Sequence, residues 1–107
     1  MDRSANDAPR LCVMSLIEWQ ASSMTIDDAH ELASRTSAAF RLVPGLVDFR
    51  FFGDFATGRH VYMQVWEDQA ALEAFAASEP MLQIRRFAAP FVEGRPSRTL
   101  FADYTPR

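Results

Sequence analysis

The sequence contains no lysine, one cysteine, two histidines and only four glycines in 107 residues. Each shortage removes a class of explanation. A single cysteine, Cys12, forms no internal disulfide, so nothing in the cysteine usage points to an oxidising compartment. Within an apolar stretch Cys12 reads as a small buried hydrophobe, its thiol protonated and unreactive. His30 and His60 fall on different segments without an E-x-x-H or C-x-x-C companion, so no metal site is expected. The four glycines do not assemble into a phosphate-binding loop, and no G-x-S-x-G elbow is present. Motifs for flavin and nucleotide are therefore missing, and no cofactor is expected.

All eleven basic residues are arginine, a compositional bias of the kind a GC-rich genome imposes. Fourteen acids against them leave a net charge of -3, which argues against nucleic acid as a partner. Arg85-Arg86 is too short to make a basic patch. No apolar run approaches the ~20 residues that span a bilayer, and residues 1–10 are polar without a signal-peptide core. A cytoplasmic protein without membrane association is the expectation.

What is present is the composition of one compact domain, 49% hydrophobic and 23% charged, long enough to bury a core without staples. Residues 1–10 read as a flexible lead-in and 11–107 as a single domain. The run 11–19 (LCVMSLIEW) is apolar on both parities and predicts a strand covered on both faces. Thr25 with Asp28 three residues on resembles a capping box, and Ile26, Ala29, Ala33, Ser37 and Phe40 recur at helical spacing, predicting a helix over 26–42 ended by Pro44-Gly45. Alternation over 46–55 and 60–66, separated by a loop with Gly58, predicts a hairpin.

On its first strand, Val47, Phe49, Phe51 and Phe55 share one parity, and Leu46, Asp48, Arg50, Phe52 and Asp54 the other. On its second strand, Val61, Met63 and Val65 extend the wholly apolar face, while His60, Tyr62, Gln64 and Trp66 form an aromatic face with hydrogen-bonding groups. Asp68 caps a helix over 69–78, Pro80 interrupts it, a short helix follows over 81–89, and 97–104 reads as the last strand.

The order β-α-β-β-α-β is that of an α+β ferredoxin-like fold, with helices on one face of a four-stranded antiparallel sheet. The other face is then an apolar patch larger than a soluble monomer exposes, which predicts a homodimer with sheets packed face to face. On the mixed face, Tyr62, Gln64 and Trp66 recur at period two and point together toward the helices. They can line a pocket for an aromatic ligand, the rings giving flat contact and the O–H, N–H and amide groups orienting its oxygens. The same residues also suit an ordinary satisfied core, and composition alone does not separate the two. Arg85 and Arg86 are, on type alone, solvated or paired with acids such as Glu79.

The strings VPGLVDFRFFGD, GRHVYMQVWEDQAALEAF, SEPMLQIRRF and TLFADYTPR, with Pro44-Gly45, Trp66-Glu67, Pro80, Arg86 and Thr105-Pro106-Arg107 at preserved spacing, resemble the antibiotic biosynthesis monooxygenase family. The resemblance runs along essentially the whole chain from Leu11. It implies a dimeric α+β barrel and the cofactor-free oxidation of a polycyclic aromatic polyketide, a phenol or anthrone, to a quinone by O2. It also implies Trp66 as a pocket wall and donor and Arg86 as a cation assisting peroxide breakdown. Tyr62 stands where relatives carry an asparagine and is assigned as a further catalytic donor. Leu72 replaces a tyrosine, and Phe75 is the nearest counterpart of a histidine on the second helix, whose absence also removes support for haem degradation. Gln64, Phe52, Leu72, Phe75 and His60 complete the expected substrate-binding set. A polyketide cyclase or isomerase, or a non-catalytic dimer that holds an aromatic ligand, are the alternatives.

Overall fold

A computed structural model of the protein describes residues 11–106, so the lead-in expected over 1–10 lies outside the described residues. Four strands form one antiparallel sheet: β1 (Cys12–Gln20), β2 (Leu46–Asp54), β3 (Arg59–Trp66) and β4 (Glu93–Asp103), in the order β2-β3-β1-β4. Three helices, α1 (Ile26–Phe40), α2 (Gln69–Ala76) and α3 (Glu79–Ala88), complete the ferredoxin-like arrangement.

Local chemistry sets the boundaries. The Thr25 side chain accepts from the Asp28 amide, and the Asp28 carboxylate accepts from the Thr25 amide, both at 3.1 Å, so the capping box forms as expected. Asp68 Oδ1 accepts from the Ala71 amide at 2.8 Å and starts α2. Pro80 does more than interrupt. It sits in the first turn of α3 behind the Ser78 cap, where its missing N–H costs nothing, so α3 begins two residues before the expected start. The last strand begins four residues early, because Gly94 at φ 71° allows a bulge opposite Trp19 in place of a turn.

The helical stripe is also rotated from the expected one. Leu32, Thr36, Ala39 and Phe40 are the buried residues of α1, whereas Ile26 is 55% exposed. Helices and sheet meet in a core of Trp19, Leu32, Phe40, Trp66, Leu72, Phe75 and Ile84, against which Val13, Ile17, Phe49, Phe51 and Tyr62 pack.

One expectation about the sheet is corrected. The hairpin pairs Asp54 with Arg59, Phe51 with Tyr62 and Phe49 with Gln64. Its loop, residues 55–58, is four residues long, so each directly opposed pair joins an odd to an even position and the two strands' faces match across opposite parities. Phe49 and Phe51 therefore lie with Tyr62 and Gln64 beneath the helices. Phe52, Arg50 and Asp48 lie with Val61, Met63 and Val65 on the open face. Val47 is the extra residue where the register shifts between Leu46 and Asp48. The open face stays apolar at its centre, where Met14, Leu16, Val61, Met63, Val65 and Phe101 share one side of the ladder.

Candidate active site

The helix face of the sheet is a set of rungs. Tyr62 of β3 opposes Ile17 of β1, which opposes Arg98 of β4; Gln64, Ser15 and Leu100 form the next rung, and His60 opposes Trp19. Where α1 and α3 arch over these rungs they leave a cavity of about 520 Å³. Its floor is Ile17, Trp19, Tyr62 and Gln64, its roof Leu32, Thr36, Met81, Ile84, Arg85 and Ala88, and its rim the link from Ala89 into β4 as far as Arg98. That volume is ample for a fused-ring ligand.

Tyr62 is held edge-on by Trp19 at 5.5 Å and by Phe51 at 4.7 Å between ring centroids, so its ring direction is fixed by packing. Burial raises its phenol well above the usual value of 10.0, because a phenolate would lose its hydration there. Tyr62 thus faces the cavity as a neutral O–H donor. Thr36 offers no such donor, since its hydroxyl already donates to the Leu32 carbonyl at 2.8 Å.

Gln64 is 4% exposed, and its Oε1 accepts from the Trp66 indole N–H at 3.0 Å. An indole nitrogen can only donate. The amide is therefore set with oxygen toward Trp66, which leaves its Nε2 donors for the cavity that Gln64 lines. Trp66 itself is fully buried, packed against Phe40 at 5.9 Å and Phe75 at 5.1 Å. The structure places it behind Gln64 and not in the cavity wall.

The other expected site residues are placed as follows. Leu72 and Phe75 are core residues, each 2% exposed. Phe52 lies opposite Val61 on the open face, a consequence of the hairpin register. His60 stacks on Trp19 at 4.8 Å and borders a separate hollow of about 150 Å³ with His30, Phe51 and Phe55. Burial lowers its pKa below 6.5, which keeps it neutral. Among the described residues neither His60 Nε2 nor the buried Ser15 Oγ has a hydrogen-bond partner.

Arg86 is not among the cavity residues, whereas its neighbour Arg85 is. The reason is helical phase: Met81, Ile84, Arg85 and Ala88 recur at i, i+3, i+4 and i+7 and face the sheet together, while Arg86 lies about 100° further round. That stripe was present in the sequence. Trp19 carried a weaker signal, because β1 is apolar on both parities and only its pairing with His60 fixes the face. Arg98 was hidden for the same reason on an edge strand.

Among the described residues no three His, Cys, Asp or Glu side chains come together as a metal-holding group, and no helix is long and apolar enough to cross a membrane.

No protein-family model and no curated protein matches the sequence. Solved structures do match the fold. SnoaB, a cofactor-independent oxygenase from Streptomyces nogalater, is similar at a TM-score of 0.75 and 18% identity, over 90% of this chain and 96% of its own. A protein described as an antibiotic biosynthesis monooxygenase is similar at 0.65 and 16%, over 88% and 99%. The hydroxynitrile lyase of Passiflora edulis is similar at 0.69 and 14%, over 92% and 100%. The resemblance to the antibiotic biosynthesis monooxygenases carried by the sequence thus recurs in the fold, and a lyase on the same fold leaves the reaction to be argued from the site.

Proposed function

We propose that the protein is a cofactor-independent monooxygenase that oxidises a polycyclic phenol or anthrone to a quinone with O2. The observation that carries this reading is the apolar cavity of about 520 Å³ with two neutral donors, Tyr62 and Gln64, on neighbouring floor positions of one strand. Donors so placed stabilise an oxyanion more than its neutral parent, because negative charge gathers on the oxygen they meet. Trp19 and Ile17 supply the flat apolar floor, and the helical roof limits bulk water.

The chemistry balances without a further reductant. An anthrone loses a ring C–H proton, or a phenol its O–H proton, to give an enolate or phenolate, which passes one electron to O2. The substrate radical and superoxide combine into a C–OO bond, and the peroxide takes up a proton. Loss of the C–H proton that remains on the peroxide-bearing carbon, with departure of hydroxide, leaves C=O and one water. Tyr62 and Gln64 hold the developing oxyanion, and Trp66 acts through Gln64 by fixing its amide. In place of Arg86, Arg85 is the arginine that α3 brings to the cavity, and it makes the potential there more positive.

The open face of the sheet supports a homodimer: Met14, Leu16, Val61, Met63 and Phe101 share one side of the ladder and are part-exposed or exposed, an apolar patch of the kind a partner covers. A cytoplasmic location fits the sequence.

Purified protein freed of metal and flavin should consume O2 in the presence of an anthrone at a rate well above buffer, with a quinone as product. Oxygen uptake at the buffer rate would refute the oxygenase. The fold likeness to a lyase favours one competing reading, ring closure or isomerisation of a polyketide without oxygen. Turnover that persists under anaerobic conditions would select it.

A further inference from the structure

The cavity has an electrostatic character opposite to that of the chain. Fourteen acids outnumber eleven arginines overall, yet among the described residues the cavity lining holds Arg85 and Arg98 and no carboxylate. Arg35 pairs with Glu31 and Arg59 with Glu18; the other six arginines among the described residues have no ion-pair partner, and Arg85 and Arg98 are the two of these that line the cavity. Two guanidiniums lining one cavity with no acid among them make it attractive to an anion.

Their placement gives that anion a position. Tyr62, Ile17 and Arg98 form one rung across β3, β1 and β4. Neighbouring strands lie about 4.8 Å apart, so the phenol and the guanidinium spring from backbones roughly 10 Å apart across the floor. Arg85 descends from α3 on the same stripe as Ile84 and Met81. The floor therefore offers neutral donors at one end and positive charge at the other, separated by about the length of a fused-ring system.

We propose that the substrate is an aromatic acid: its ring oxygen lies at Tyr62 and Gln64, and an ionised carboxylate at the far end meets Arg98 and Arg85. This rests on the reading of the cavity as an aromatic site. A planar guanidinium matches the two oxygens of a carboxylate. The exposed rim lets that carboxylate keep part of its hydration, so the pairing avoids the penalty of burying a charge.

The test is binding, read by quenching of tryptophan fluorescence with two probes of one shape, anthraquinone-2-carboxylate and anthraquinone-2-carboxamide. The acid should bind about ten-fold tighter than the amide, the scale of one charge-assisted hydrogen bond, and the preference should shrink as salt is added. The Arg85→Gln/Arg98→Gln double variant should bind both probes alike. Arg41→Gln, which removes one arginine charge outside the cavity, should keep the preference, whereas Arg85→Gln and Arg98→Gln taken singly should each reduce it. Equal affinities in the unaltered protein, or a preference that survives the double variant, would overturn the proposal and leave the aromatic site standing. Failure of both probes to bind would overturn both. Oxygen uptake is measured separately, so binding without turnover counts against the oxygenase and not against the acid.

Discussion

Replacing Trp66 with Phe tests whether Trp66 acts through Gln64. The indole N–H donates to Gln64 Oε1 at 3.0 Å, and both side chains are nearly inaccessible, at 0% and 4% exposed. Phe keeps an aromatic ring between Phe40 and Phe75 but leaves the amide oxygen without a donor that water can replace. An orphaned buried acceptor costs about 1–3 kcal/mol, and the smaller ring adds a cavity term of about 1 kcal/mol. A double-mutant cycle with Gln64→Leu separates the two, because in the leucine background Trp66→Phe strands no polar atom. Stability read from denaturant midpoints at unchanged slope should give a coupling of about 1–3 kcal/mol. Anthraquinone-2-carboxylate binding should weaken in Trp66→Phe and show no further loss when that change is added to Gln64→Leu. Additivity within about 0.3–0.5 kcal/mol, the usual error for independent sites, would refute the coupling.

The remaining predictions concern the neighbours of that pair. In a Tyr104→Phe variant Tyr62 is the only tyrosine. Because burial raises its pKa above 10.0, the fold favours the neutral phenol. The stability this confers is present below pH 10 and is lost as pH rises beyond it, so tyrosinate absorbance should appear only above pH 10 and together with unfolding. For His60 the shift is downward from 6.5: below that pH the unfolded chain binds a proton that the folded chain resists. Stability relative to a His60→Gln variant should therefore be flat above pH 6.5 and fall as pH drops through it, as read by thermal midpoints. A Cβ on Gly53 would lie 2.8 Å from His60 Nδ1, so Gly53→Ala should cost about 1–3 kcal/mol by overpacking, with much of the loss recovered in Gly53→Ala/His60→Ala. Met63→Glu places a charge at the centre of the open sheet face, and sedimentation should show a dimer in the unaltered protein and a monomer in the variant.

Much of the fold was legible because it is fixed by chemistry that acts over a few residues. The Thr25 capping box, the Asp68 cap and the positive φ of Gly58 each depend on neighbours within one turn. The faces of the sheet were less legible, because a face is a property of pairing. Each hairpin strand showed its alternation plainly, yet which parity of β2 joins which parity of β3 depends on whether the 55–58 loop has an even or odd number of residues. Counting loop residues between the opposed ends Asp54 and Arg59 would have placed Phe49 and Phe51 beside Tyr62. The same distinction separates Arg85 from Arg86. Residue type fits either, and only the phase set by Ile84 and by the Ser78–Pro80 start of α3 decides. Trp19 and Arg98 lie beyond such counting, since β1 is apolar on both sides and β4 is held by a single neighbour.

Donors and cations at this site come from different parts of the fold. Tyr62 and Gln64 stand on a central strand, hydrogen-bonded on both edges and buttressed by Trp19, Phe51 and Trp66, so a change there disturbs the core as well as the chemistry. Arg98 stands on an edge strand and Arg85 on α3, both exposed, where substitution costs little stability. A fold with this division can keep one oxyanion-holding floor while exchanging the charge that selects the ligand. Rim variants should therefore alter which aromatic binds, through KM, while floor variants lower kcat. If Arg98→Gln instead reduced kcat with KM unchanged, that guanidinium would belong to the reacting centre, and the split between floor and rim would be refuted.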